Sequence, residues 1–456
     1  MKFLLASPPM TGHLNPLLSI GSILMAYGHE VVVTTGSFLR NRVEATGARF
    51  IPLPPGADQD TRDMAALFPE HRRILPGPER VRAHLQEAFI EPLPYQLAGL
   101  RDVLAGYEAD AIIASALFTG TLPLLLDQSA RRPVIVHCGI SILTLERDDG
   151  APAGQGLPLA KSDADLDAYR ASREAIDAAC FGPLQTRLDQ LLAQSGVGPL
   201  PAQYFDAIVG LPDIYLHLSV PGFEYPRRAM PSSVRFIGSL PVPPSNLPDP
   251  SWIGDLDGSR RVVLVTQGTI ANFDMGQVIA PTLAALADEP DLLVLATTGG
   301  QPVGAIPGPI PANARIAEFL PFERLLPRVD ALVTNGGYGT VNLALRAGIP
   351  LVVAGQTEDK AEVSARVAWS GAGINLATNQ PTAEALRQAV RAVIDRLDYR
   401  IRAECLAAEF ATYDSEAEVL RVVSAVRSLQ DQAAMRFGMT ARRPLYTPAV
   451  RSLVRH

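Results

Sequence analysis

The seven residues Thr334–Thr340, TNGGYGT, place three glycines and a hydroxyl at each end between an apolar run, ALV, and a helix-like run, VNLALRAG. Glycines let backbone amides approach a ligand closely, and a helix start offers unpaired N–H groups with a partial positive charge. That is the chemistry of holding a phosphate. Thr340 is expected at the helix start, where it can cap the helix or donate its hydroxyl to a phosphate oxygen. A plain tight strand-to-helix turn recruits the same glycines, so the turn alone leaves both readings open. Neither a dinucleotide-type GxGxxG nor a Walker lysine accompanies it.

A second candidate is His13 in PPMTGHLNP, between the first apolar run and a periodic helix running towards Tyr27. An imidazole that titrates near neutrality can take a proton from an attacking hydroxyl. A turn histidine helping to cap a helix is the plainer reading of the same residue. His137 also ends an apolar run, VIVHCG, but such a histidine is more often part of a pocket wall or core.

The elements that must position these residues are legible as apolar runs. KFLLAS, HEVVVTT, ARFIPL, DAIIAS and RPVIVHC read as strands in the first half, and RVVLVTQ, DLLVLAT, RIAEFL, DALVTN and PLVVAG in the second. Near-continuous Val/Ile/Leu runs between longer helical stretches suit parallel sheets covered by helices on both faces. In such α/β sheets ligands gather at the C-terminal ends of the strands, where both candidates stand. Between the halves lies PVPPSNLPDP, Pro241–Pro250, five prolines in ten residues, through which neither helix nor central strand can run. The expected division is one domain over 1–240, a linker over 241–250, a second domain over 251–430, and a basic tail over 431–456. Pro54–Arg80 and Glu146–Asp167 read as long loops above the crevice, where acceptor specificity tends to sit. Phe68, Phe89 and Phe118 are candidates to line an apolar acceptor pocket, although core packing explains aromatics equally well.

The chain has 456 residues, 47% hydrophobic and 19% charged, with a formal net charge of -7. That composition suits two sizeable cores and argues against a nucleic-acid partner, which favours a basic surplus. Cys138, Cys180 and Cys405 are too few and too scattered for a disulfide framework or a zinc site, so a reducing cytoplasm is expected. The uncharged stretch Ala111–Leu126 is too short for a membrane span and contains Gly120 and Pro123. It reads as a buried strand leading into a helix, and no stable membrane insertion is expected.

The wider stretch from Phe319 to Lys360, FLPFERLLPRVDALVTNGGYGTVNLALRAGIPLVVAGQTEDK, resembles the nucleotide-sugar signature of the UDP-glycosyltransferase-like family of GT-B enzymes. The early turn TGHLNP matches that family's G-H-x-N-P pattern. The resemblance implies a GT-B fold, with two doubly wound Rossmann-like domains facing across a cleft. It implies that Phe319 stacks on the uracil or thymine ring while the Leu320 backbone pairs the base edge. Gly337, Gly339 and Thr340 would surround the diphosphate, Asp359 would accept hydrogen bonds from sugar hydroxyls, and Gly268 and Thr269 of TQGT would add a phosphate-side contact. His13 would be the base of an inverting transfer that needs no covalent intermediate, no metal and no resident cofactor. Its partners would be a UDP- or dTDP-sugar and a small, apolar hydroxylated acceptor, as in natural-product or xenobiotic glycosylation.

Several positions depart from the family pattern. Asn335 stands where a diphosphate-binding His is usual; it can donate a hydrogen bond but carries no charge. Leu343 replaces a Glu that grips ribose hydroxyls, which leaves UDP and dTDP both open. Lys360 replaces a terminal Gln at the donor sugar, a donor-only side chain that would shift sugar preference, with a solvated surface lysine as the plain alternative. Ser115 ends ADAIIAS where relatives carry the acid that supports the histidine, so His13 and Ser115 form the expected catalytic pair. A catalytically weak nucleotide-binding partner, or a transferase for a lipid-linked acceptor, are the competing readings.

Overall fold

A computed structural model describes residues 1–63, 67–127, 129, 131–241, 247–268 and 272–436. Seven strands form the first sheet: β1 (Lys2–Ala6), β2 (Glu30–Thr35), β3 (Arg49–Pro52), β4 (Ala111–Ser115), β5 (Val134–Gly139), β6 (Ile214–His217) and β7 (Val234–Phe236). Their order across the sheet is β3-β2-β1-β4-β5-β6-β7. Six more form the second: β8 (Arg261–Thr266), β9 (Leu292–Thr297), β10 (Ala314–Ala317), β11 (Ala331–Thr334), β12 (Leu351–Val353) and β13 (Gly373–Asn375), in the order β10-β9-β8-β11-β12-β13. Every strand pairing is parallel. All ten expected strands are present. The three additional ones, β6, β7 and β13, are only three or four residues long.

The continuous apolar runs have the burial that parallel sheets demand. Every residue of β4, β5, β9 and β11 is buried, because helices cover both faces. The strand order reverses between β1 and β4 in one sheet and between β8 and β11 in the other. Each reversal sends adjacent crossovers to opposite faces and opens a crevice at the strands' C-terminal ends.

The last described helix, Ser415–Arg436, leaves the second sheet and packs against the helix Thr11–Ala26 and β5 of the first. Tyr27 Oη donates to Glu416 at 2.6 Å, and Gln430 Nε2 donates to the Asp110 carbonyl at 3.0 Å. Val419, Val423 and Val426 share a core with Leu17, Ile20 and Leu24. Residues 242–246 of the proline-rich connector and 437–456 of the tail lie outside the described residues. Among the described residues no helix is long and apolar enough to cross a membrane.

Candidate functional site

His13 is not in the loop after β1 but is the third residue of the helix Thr11–Ala26. Its Nδ1 lies 2.8 Å from Ser115 Oγ, at the end of β4. The two meet because β1 and β4 are neighbours in register, Ala6 opposite Ala114. Ser115 is fully buried and His13 nearly so, and the half-buried Phe89 ring lies 5.4 Å from the imidazole. Burial drops the His13 pKa from 6.5 to about 4, so the ring is neutral, and with Nδ1 held by Ser115 Nε2 is the nitrogen left to accept a proton.

The second sheet builds its counterpart at its own reversal point. Asn335 follows β11 and its Nδ2 donates to the Gln267 carbonyl, just past β8, at 3.0 Å. Gly336 has φ of +85°, and a Cβ there would stand 2.6 Å from Ser364 Oγ. At Gly355 a Cβ would meet the Asn335 carbonyl oxygen at 2.1 Å. These two glycines let the turn fold tightly over the segment after β12.

The helix that follows begins at Tyr338, two residues before Thr340, and Gly337 occupies its cap position without any side-chain cap. Thr340 is therefore a first-turn residue and not the cap. The first-turn amides are left to water or a ligand, which is what an anion site at a helix start requires.

Phe319 follows β10 with 52% of its surface exposed, a ring open to stacking, while the Leu320 side chain is buried. Gly268 has φ of +72° just past β8; Thr269 lies outside the described residues. Asp359 stands at the N-cap position of the helix Lys360–Ser370 without a side-chain cap bond, and its carboxylate accepts from Ser141 Oγ, just beyond β5 of the first sheet. Burial raises its pKa and the Ser141 bond partly opposes that. This contact shows the C-terminal ends of the two sheets facing each other.

Other expectations need correction. For Lys360 the plain alternative of a solvated lysine drops out: it is buried and paired with Glu358. His137 is fully buried, with Nε2 at 2.9 Å from Thr121 Oγ1 and Nδ1 at 2.8 Å from the Ile208 carbonyl. Both nitrogens are engaged within the fold. Phe118 is sealed in the core behind β4, and Phe68 is buried with its ring stacked on His71 at 5.1 Å. Of the three phenylalanines, only Phe89 stands beside the candidate base.

The sequence reading missed a buried polar chain joining the two halves. Tyr338, at the start of the glycine-turn helix, has its Oη 3.2 Å from His217 Nε2 at the end of β6. His217 Nε2 lies 3.0 Å from Glu224 Oε1, and Arg366 Nε donates to Glu224 Oε2 at 2.9 Å. Arg366 also pairs with Glu362 at 2.9 Å, whose other oxygen accepts the Gly154 and Gly156 amides at 3.0 Å each. Burial alone would raise the Glu224 carboxyl, but Arg366 and His217 bring it down to about 2. The spacing of Glu362 and Arg366 hints at an ion pair; their partners, 142 residues away at Glu224 and 206 and 208 away at Gly156 and Gly154, left no signal.

Named relatives resemble the chain over nearly its whole length. The chain is 38% identical to 4'-demethylrebeccamycin synthase of Lentzea aerocolonigenes, over 92% of its own length and 98% of that protein's. It is 37% identical to UDP-glycosyltransferase 2 of Phaeomoniella chlamydospora, covering 90% of this chain and 92% of the relative. The chain belongs to the UDP-glycosyltransferase-like family. It is a glycosyltransferase. Residues 283–426 match the family described as erythromycin biosynthesis protein CIII-like, C-terminal domain. The glycosyltransferase of kitacinnamycin superposes with a TM-score of 0.69 over 93% of this chain and 98% of its own, at 19% identity. At that identity the likeness is one of fold, and the fold is GT-B.

Proposed function

We propose that this glycosyltransferase moves a sugar from a UDP- or dTDP-sugar to a small, apolar hydroxylated acceptor, with inversion and without a metal. The observation that carries this is the pairing of two reversal points across one cleft. One holds a neutral imidazole and the other a glycine turn with an uncapped helix start. In this reading residues 1–240 take the acceptor and 251–430 the donor.

Chemically, Ser115 fixes the His13 ring through Nδ1, and Nε2 takes the proton from the acceptor hydroxyl. The acceptor oxygen attacks the anomeric carbon from the face opposite the diphosphate. Charge then developing on the leaving group meets the amides of Gly337, Tyr338 and Gly339 and the positive end of their helix dipole. Phe319 would stack on the base and Asp359 would accept from a sugar hydroxyl. The relative named a UDP-glycosyltransferase favours a uridine donor, and Leu343 leaves thymidine in contention. Three free cysteines fit work in a reducing cytoplasm.

Calorimetric binding of UDP and dTDP to wild type and to His13→Ala, followed by transfer assays, tests the reading. Nucleotide binding in both with transfer lost in the variant supports it. Failure to bind either nucleotide would overturn it.

A further inference from the structure

His13 has a hydroxyl where a strong general base needs a charge. Its Nδ1 is taken up by Ser115 Oγ at 2.8 Å, and the aromatic ring of Phe89 lies alongside. Among the described residues no carboxylate is hydrogen-bonded to the imidazole, and no charged neighbour offsets the burial that makes it a weak base. A serine oxygen can orient the ring, but it cannot stabilise an imidazolium as a carboxylate does. Contrast His217, the other histidine at a strand end near the cleft, which does have a carboxylate, Glu224, at 3.0 Å. The fold therefore supplies a buried carboxylate to a histidine that lines the domain contact and withholds one from the histidine at the reversal point.

On the reading given above, we infer that the acceptor class is acidic: a phenol or a comparably acidic aromatic X–H, and not an aliphatic alcohol. Such a group loses its proton with little help from the base. In the step itself the X–H proton passes to His13 Nε2. The X–C bond to the anomeric carbon forms as the bond from that carbon to the diphosphate oxygen breaks, and the nucleoside diphosphate departs with that electron pair. A phenol ionises near a pKa of about 10, as tyrosine does, and an aliphatic hydroxyl nearer to water at about 16. A weak base discriminates between them; a carboxylate-supported one does so far less. Ser115 is thus a positioning residue whose identity sets how acidic the acceptor must be.

The test compares naphthol with naphthylmethanol, two acceptors of similar apolar bulk, using the donor whose nucleotide the protein binds. Wild type is expected to favour naphthol in kcat/KM by about 100-fold or more, the scale of general-base assistance. Ser115→Asp is expected to raise the naphthylmethanol rate selectively and shrink that ratio at least tenfold. Should that variant not fold, the wild-type ratio decides by itself. Equal use of both acceptors, or a Ser115→Asp variant that folds and changes both rates alike, would overturn the inference. Transfer to neither, with nucleotide bound and donor hydrolysed, would also overturn it while leaving the transferase reading intact. Absence of nucleotide binding would sink both.

Discussion

Arg366 and Glu224 meet at 2.9 Å across the two halves of the chain, with 1% and 4% of their surfaces exposed. Each charge is tolerated in the interior because the other is there, with Glu362 also on the arginine and His217 and Arg227, the latter at 3.8 Å, also on the glutamate. Removing one partner leaves the other buried away from water with an incomplete set of counter-charges. Glu224→Ala or Arg366→Ala is therefore expected to cost about 3–5 kcal/mol of stability, read as a large drop in melting temperature. A loss under about 1 kcal/mol would show that the pair is solvated in solution.

Gly339 separates binding from folding. A Cβ added there meets nothing within 4 Å, and the residue sits in the first turn of the helix Tyr338–Arg346. Gly339→Ala should leave stability unchanged or raise it by up to about 1 kcal/mol, since alanine favours a helix. The methyl group would nonetheless crowd the space assigned to the diphosphate. Donor KM is expected to rise at least tenfold with no loss in melting temperature. Unchanged donor KM would remove Gly339 from the phosphate site.

Phe319, with half its ring exposed, has little folding role to lose. Phe319→Ala should weaken nucleotide binding by about 1–3 kcal/mol, the scale of base–aromatic stacking, measurable by titration calorimetry with UDP or dTDP. An equal loss for free phosphate would show that the effect is not stacking.

Acid should destabilise the protein early. Burial lowers the pKa of both His13 and His137 from 6.5 to about 4. Between those values the unfolded chain takes up protons that the folded one refuses. Stability is thus lost as pH falls from about 6.5 towards 4, at about 1.4 kcal/mol per pH unit for each histidine. Glu224 adds to the slope below about 4.5, because its folded carboxyl stays ionised down to about 2. A melting temperature flat from pH 7 to pH 4.5 would contradict this account.

Incubation with EDTA should leave the transfer rate within about twofold of the untreated enzyme, since backbone amides and a helix dipole are assigned the charge that a divalent ion would otherwise carry. A tenfold loss restored by added magnesium would assign that charge to a metal instead.

The two parallel sheets were legible because their strands are buried on both faces and so announce themselves as unbroken apolar runs. His13, Ser115 and the glycine turn were legible for a related reason: each follows such a run at a strand end. The helix register was less so, since Gly337 takes the cap position by backbone geometry while Thr340 carried the side chain that suggested a cap. The Glu224–Arg366 contact could not be read at all. A charged residue in a helix such as KAEVSARVAWS ordinarily faces solvent, and only the packing of the two halves buries Lys360, Glu362 and Arg366 together.

The return of the helix Ser415–Arg436 to the first sheet means that the polypeptide passes between the two halves twice, once after Pro241 and again before Ser415. Two bodies joined by one strand of chain can swivel about any axis. Joined at two points, they have less of that freedom. Any opening that admits the donor has to flex both crossings together. A nick in the proline-rich segment would leave two fragments still held together by the core that Val419, Val423 and Val426 share with Leu17, Ile20 and Leu24.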